Sequence, residues 1–497
     1  MIGALTWSVL APLLASVLCL LAGRAARWVA LGAMLVPLAV GSAALVSFVR
    51  QPGADFRLLE SYPWALGAAW TVGVDGIGAA LLALTGLVMS IATISAWNEA
   101  RRPAAYHALV CLLTAAVVTV FTTLDLLVFY IAWEALLLPM LALIGLWGGE
   151  QRRYAAIKFF LFTLAGSILM LALVIALWVV QPEATRSFDI RQLAGQWRLW
   201  ESTSVLGVSL ARFGFVAVLL AALVKVPAVP LHTWLPHAHV QAPTAISVIL
   251  AGILLKLGVY ALYRLAWPLF PLQALVFDHW IAVLGVIGIL WAAWVALGQQ
   301  DLKRLVAYAS VSHMGFCLLG LAGLTSSGVT GGMVQAITHG LGSPLLFLLV
   351  GVVYDRAHHR RIDGFGGLAT PMPRFAWALL LASLSGAGLP GLAGFPGEAL
   401  VLFGSYTAGG WWSWLGALAT LSVVLSAAYL LWMLKRVVYG PLRHPEQAAF
   451  PDLDAREQAA ILPLLLLLLL CGVWPTPLVA ALRPACEALI THVTGAP

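Results

Sequence analysis

Two lysines, Lys225 and Lys256, lie inside otherwise apolar stretches of a chain that has five lysines against twenty-two arginines. Arginine stays protonated in any protein environment, whereas desolvation can drive a lysine neutral, so the residue type able to release a proton is held where hydrocarbon is expected. The chemistry on offer is proton transfer, and ionisable groups at membrane depth are functional candidates by default. Lys256 has about a dozen span residues before it and about eight after it, too deep for easy snorkelling. Gly252, Lys256 and Tyr260 share one helical face at i, i+4, i+8. Lys158 is different: it follows Arg152 and Arg153 closely, and snorkelling accounts for it. Glu134 sits mid-span between Trp133 and a leucine-rich run, where an unpaired carboxylate is costly and a partner is required.

These residues need a scaffold that keeps water and lipid apart from them. With 62% hydrophobic and 9% charged residues, the chain has too little polar composition to cover a water-soluble fold. The fold class is therefore an all-α polytopic membrane protein of about fourteen transmembrane helices, counted from apolar segments of spanning length. Cys19, Cys111, Cys317, Cys471 and Cys486 are scattered without ligand spacing, which predicts no disulfide framework, no metal site and no iron–sulfur cluster. A sequence pI near 9.3 does not point to nucleic acid, because the basic residues fall in short loops with no aromatic-interleaved run. One set of alternating loops collects Arg24, Arg101, Arg152, Lys303, Arg360 and their neighbours; the other holds fewer, among them Arg57, Arg191 and Arg264. The positive-inside rule then places the protein in the inner (cell) membrane with both termini on the non-cytoplasmic side. Asp75, opening the third span, reads as a helix cap, and Asp125 as an interfacial residue.

Two spans are interrupted. Three prolines in KVPAVPLHTWLP (225–236) remove backbone donors, and GAGLPGLAGFPG (386–397) combines five glycines with two prolines. Lys225 stands beside the first break and Glu398 beside the second, about five spans on, which fits two repeated units inverted across the membrane with a broken helix in each. The other reading is a pair of kinks that only shapes packing. The expected organisation is an N-terminal three-helix segment (1–103), a first five-helix repeat (104–266), a second inverted repeat (276–440) and a C-terminal helix (441–497).

The stretches FYIAWEALLLPM (129–140), LVKVPAVPLHTWLPHAHVQAPTAISVILAGILLKLGVYALYR (223–264), DLKRLVAYASVSHMGF (301–316), QAITHGL (335–341) and GLPGLAGFPGEALVLFG (388–404) resemble the antiporter-like subunits of proton-pumping NADH:quinone oxidoreductase, respiratory complex I. They are most similar to its M-type, or subunit 4, members. Glu398 favours that type, since the sister types and the Mrp antiporter subunits generally carry Lys there. His237 departs from the pattern, standing where an Asp is commoner in WLPDAH.

The resemblance implies roles for single residues. Glu134 would partner Lys225, Lys256 would be the central lysine, and His313 and His339 would relay protons toward a terminal Glu398. His232 and His239, flanking the first break, would be supporting polar groups. Gln335, His339 and Ser343 line one face at i, i+4, i+8, a stripe able to hold water. An acid close to Lys225 holds the lysine's proton, and loosening the pair releases it; a static structural ion pair is the alternative. No GxGxxG follows a strand and no haem or cluster ligands occur, so no cofactor is expected in this chain, and NADH and quinone would be handled by partner subunits. The implied partners are other membrane subunits of complex I, including sister antiporter-like subunits, and lipid. A subunit of an Mrp-type cation/proton antiporter, or of a hydrogenase-, formate- or ferredoxin-linked relative, is the alternative function.

Overall fold

The computed structural model describes residues 2–205 and 207–495. Among the described residues, eleven helical stretches are long and apolar enough to cross a membrane. The first, Ala4–Arg50, holds two helices, α1 (Ala4–Ala22) and α2 (Ala26–Arg50), joined by a 3-10 turn. Next come α3 (Gly76–Ser95), α4 (Pro103–Thr122), α5 (Leu126–Ala135) and α6 (Leu137–Trp147), which meet at Leu136, and α7 (Arg152–Val180). The first broken pair is α8 (Leu210–Lys225) and α9 (Trp234–Gln241). It leads into α10 (Thr244–Leu269), α11 (Pro271–Leu297), α12 (Leu302–Ala322) and α13 (Ser326–Ala357). The second broken pair is α14 (Pro373–Gly386) and α15 (Gly394–Ala408); α16 (Gly410–Val437), α17 (Ala455–Val473) and α18 (Thr476–Thr494) complete the chain.

Burial sorts the helices. α10, α12 and α13 are enclosed on nearly every side, while α1, α2, α7, α16 and α17 keep apolar faces outward, as lipid or a partner subunit requires. Hydroxyls in the interior are silenced locally: Thr85 donates to the Leu81 carbonyl at 2.7 Å and Thr114 to that of Val110 at 2.8 Å, so neither is an unmet polar group in an apolar setting.

Helix starts follow their side-chain caps. Asp75 accepts from the Gly78 amide at 2.8 Å, as expected for the residue opening α3. Its other oxygen binds Arg264 at 2.6 Å, and Arg264 also donates to the Tyr260 hydroxyl at 3.1 Å, so this arginine is buried in the protein and not a loop charge as its place in the sequence suggests. Asp125 caps α5 through Val128 and accepts from the Ala69 amide at 2.8 Å.

Three features lie outside the sequence expectation. Residues 57–74 form an antiparallel hairpin, β1 (Arg57–Pro63) and β2 (Ala69–Val74), whose Glu60 carboxylate accepts from Leu5 N at 2.9 Å and from the Thr6 hydroxyl at 2.5 Å and so caps α1 from a distance. The segment expected as one C-terminal helix is two, α17 and α18, because Pro475 ends the ladder after Trp474. Lys303, sorted with the loop charges, is 2% exposed and donates to the Ala242 carbonyl at 2.7 Å.

Arg356, near the end of α13, holds the last turn of chain before α17. It makes a forked pair with both Glu457 oxygens at 2.9 and 2.8 Å and donates to the carbonyls of Pro451 and Asp452. Truncating one partner of a buried pair costs about 3–5 kcal/mol. Arg356→Ala is therefore expected to lower the midpoint of thermal unfolding and the amount of subunit in membranes, with Arg356→Lys restoring only part, read by thermal melts in detergent and immunoblotting.

Candidate functional site

α8 stops at Lys225 because Pro227 and Pro230 cannot donate to a continuing ladder. The Lys225 ammonium, 4% exposed, lies 4.2 Å from the centre of the Trp133 ring, a cation–π contact that partly replaces water. Glu134, one residue further along α5, is half-buried, and its Oε1 has no hydrogen-bond partner. No ion pair within 4.0 Å joins it to Lys225, whose charge it feels at longer range, and the nearby Ser167 hydroxyl donates to the carbonyls of Thr163 and Leu164. The direct pair implied by the sequence is thus an open one. The indole face competes for the ammonium.

Lys256 lies between two π-helical turns of α10, Leu250–Leu254 and Leu262–Ala266, a distortion common at functional sites. It is fully buried, donates to the Ala251 carbonyl at 2.5 Å and meets His339 Nδ1 at 2.7 Å. The His339 and His313 rings are 5.7 Å apart, and His313 Nδ1 contacts Glu398 Oε1 at 2.9 Å. Gln335 Nε2 donates to the same oxygen at 3.2 Å. α10, α13, α12 and α15 thereby bring Lys256, His339, His313 and Glu398 into one run. His339 Nε2 and Gln335 Oε1 have no protein partner, and they border a cavity of about 30 Å³ lined also by Ser310, Thr338 and Ser343. That is room for water beside orphaned polar atoms.

Glycine makes two of these approaches possible. Gly388, in the second break, has φ +73°, and a Cβ there would stand 2.9 Å from Glu398 Oε2. A Cβ at Gly258, two residues past Lys256, would stand 2.6 Å from the Ala222 carbonyl oxygen in the last turn of α8. Any side chain there would force the two lysine-bearing helices apart.

The remaining expected residues fall elsewhere. His232 packs edge-on to Trp291 at 4.7 Å with Nδ1 unpartnered, off the line of contacts. His239 is fully buried, stacked on Phe347 at 4.3 Å, and neither ring nitrogen has a partner. It feels the charges of both Lys256 and Lys303. His237 is 3.4 Å from Lys158, whose ammonium sits over the Tyr154 and Phe162 rings at the edge of the protein.

Lys303 is the residue that the sequence reading missed. It opens on a polar recess of about 870 Å³ lined also by Asp301, Asp355, His359 and Glu457. Lys303 and Ser310 share a helical face at i, i+7, which is the signal that could have found it. His359, in the loop after α13, is held below its ordinary value by burial and by the Arg361 charge beside it. Lys303 lines the recess and donates to the carbonyl of Ala242, three residues past His239.

A broken-helix membrane fold with a buried amine–imidazole–carboxylate run defines the class of antiporter-like ion-translocating subunits. Residues 123–426 match the family described as NADH:quinone oxidoreductase/Mrp antiporter, transmembrane. The NADH-quinone oxidoreductase subunit M of Rhodobacter capsulatus is 39% identical over 480 residues, covering 95% of this chain and 91% of that protein. A chain of the respiratory complex I from Thermus thermophilus with bound NADH superposes with a TM-score of 0.87 at 32% identity, covering 98% of this chain and 99% of that one. A chain of the Mrp complex from Dietzia sp. DQ12-45-1b shares the fold, with a TM-score of 0.84 at 23% identity and 99% coverage of both. The chain belongs to the NADH:quinone oxidoreductase/Mrp antiporter family, on the side of its subunit M members.

Two substitutions in the second break separate backbone strain from crowding of Glu398. A left-handed alanine costs about 1–2 kcal/mol at either position, yet Gly391, with φ +91°, has open space around it. Gly388→Ala is expected to lower proton translocation by the assembled complex several-fold more than Gly391→Ala, measured as dye quenching in membrane vesicles at matched subunit levels.

Proposed function

We propose that this chain is the proton-translocating M-type subunit of an NADH:quinone oxidoreductase, moving protons along Lys303, His239, Lys256, His339, His313 and Glu398, with Glu134 and Lys225 as the pair that gates the run. The observation that carries the reading is the continuous series of contacts from Lys256 Nζ to Glu398 Oε1, with orphaned polar atoms and a water-sized cavity beside it. Taking Ala4–Arg50 as two crossings and each broken pair as one supports fourteen crossings, and the spacing of the breaks supports two inverted repeats. The arginine-rich face with the recess is then cytoplasmic, in the inner membrane, and the hairpin face with the termini is non-cytoplasmic.

The chain's own groups hold and pass protons. Electron transfer from NADH to quinone belongs to partner subunits, and sister antiporter-like subunits cover part of the outward apolar faces. Glu134 stands close enough to Lys225 to bias its charge yet is not locked to it, so a small movement of α5 or of the 226–233 break changes how firmly the lysine keeps its proton. Moving one charge against about 180 mV takes roughly 4 kcal/mol, which is the scale on which a single charge neighbour acts at low effective dielectric. Glu398, where Mrp subunits generally carry Lys, and the subunit M relatives weigh for an electron-driven pump over a cation/proton antiporter.

Lys256→Met is expected to lower the number of protons moved per electron, while assembly and ferricyanide reduction by the peripheral part of the complex stay normal. Glu134→Gln should weaken pumping less than Lys256→Met, because the acid modulates the run without lying on it. Unchanged stoichiometry in Lys256→Met, measured in proteoliposomes with electron transfer followed in parallel, removes the proposal.

A further inference from the structure

α18 is an amphipathic helix. Ala481, Leu482, Ala485, Cys486, Leu489 and Val493 are buried against the bundle, whereas Arg483, Glu487 and Thr491 face outward. The Glu487 carboxylate accepts from the hydroxyl of Ser326, the first residue of α13, at 2.7 Å, so this part of α18 lies level with the helix ends on the hairpin face. Arg483 is one turn earlier. Among the described residues no ion pair reaches it, Glu487 included. Below it opens a groove of about 580 Å³ between α15 and the α17–α18 bend, lined by Phe395, Ala399 and Phe403 on one side and by Gly472 and Val479 on the other, with Arg483 as its one charged residue. Trp474, exposed at the bend, faces outward beside the groove.

We propose that this groove is a binding site for an anionic phospholipid, its phosphate on Arg483 and one acyl chain along Phe395, Phe403 and Val479. Position and charge choose the occupant. A free cation at the headgroup level above an apolar channel that points into hydrocarbon is complementary to a lipid with a negative head and an apolar tail. The acyl chain lies on the outer face of α15, the helix whose inner face presents Glu398, and it fills the space into which α15 would otherwise tilt.

The test uses the intact complex, reconstituted with phosphatidylglycerol or phosphatidylcholine that carries a photoreactive diazirine in the acyl chain. Labelled peptides are mapped by mass spectrometry. Phosphatidylglycerol is expected to label peptides containing Phe403 and Val479, with labelling reduced about tenfold in Arg483→Gln. Ala399→Trp, which fills the groove and leaves the charge, should abolish labelling as well. Equal labelling in Arg483→Gln, equal labelling by phosphatidylcholine, or cross-linking of this groove to a sister subunit in place of lipid overturns the assignment.

Discussion

An ammonium enclosed by apolar packing has to find its partners within the protein, and the centre of this molecule is arranged around where Lys256 finds them. One is the Ala251 carbonyl, five residues back in its own helix; the other is a ring nitrogen of His339, eighty-three residues on. From that second contact the histidine pair, Gln335 and Glu398 follow, because each buried polar group in turn must be met by another. The run is not completely satisfied. His339 Nε2, both nitrogens of His239 and Gln335 Oε1 have no protein partner, which is what sets this run apart from a fully satisfied buried network.

Much of the architecture was readable in advance. Composition alone set the solvent as hydrocarbon, the prolines of 227–236 and the glycines of 386–397 marked where helices stop, and Asp75 announced the start of α3. The contacts of the central run were not readable from spacing, since Lys256 with His339 and His313 with Glu398 are joined across more than eighty residues each. A resemblance to a known family named those residues; only packing puts them side by side.

What escaped has physical reasons. Lys303 sits between the cap Asp301 and Arg304, so it looked like a loop charge, yet the first turn of α12 points it inward at the free carbonyl of Ala242. Arg264, near the end of an apolar span, looked like a charge at the membrane edge, and its partner Asp75 is distant in sequence. Glu134 and Lys225 were expected in contact, but the aromatic face of Trp133 adjoining the acid takes the ammonium first. The hairpin at 57–74 escaped because its stabilising contact, Glu60 on the start of α1, is long-range and leaves no periodic trace.

Gly258 carries a mechanical consequence. With no side chain of its own at Gly258, α10 closes directly on the Ala222 carbonyl and on Val226 at the end of α8, and the two helices mesh like gear teeth. A twist that starts in the prolines after Lys225 therefore turns the rod bearing Lys256 as well. The positions of the two amines are thereby linked through one close contact between helices.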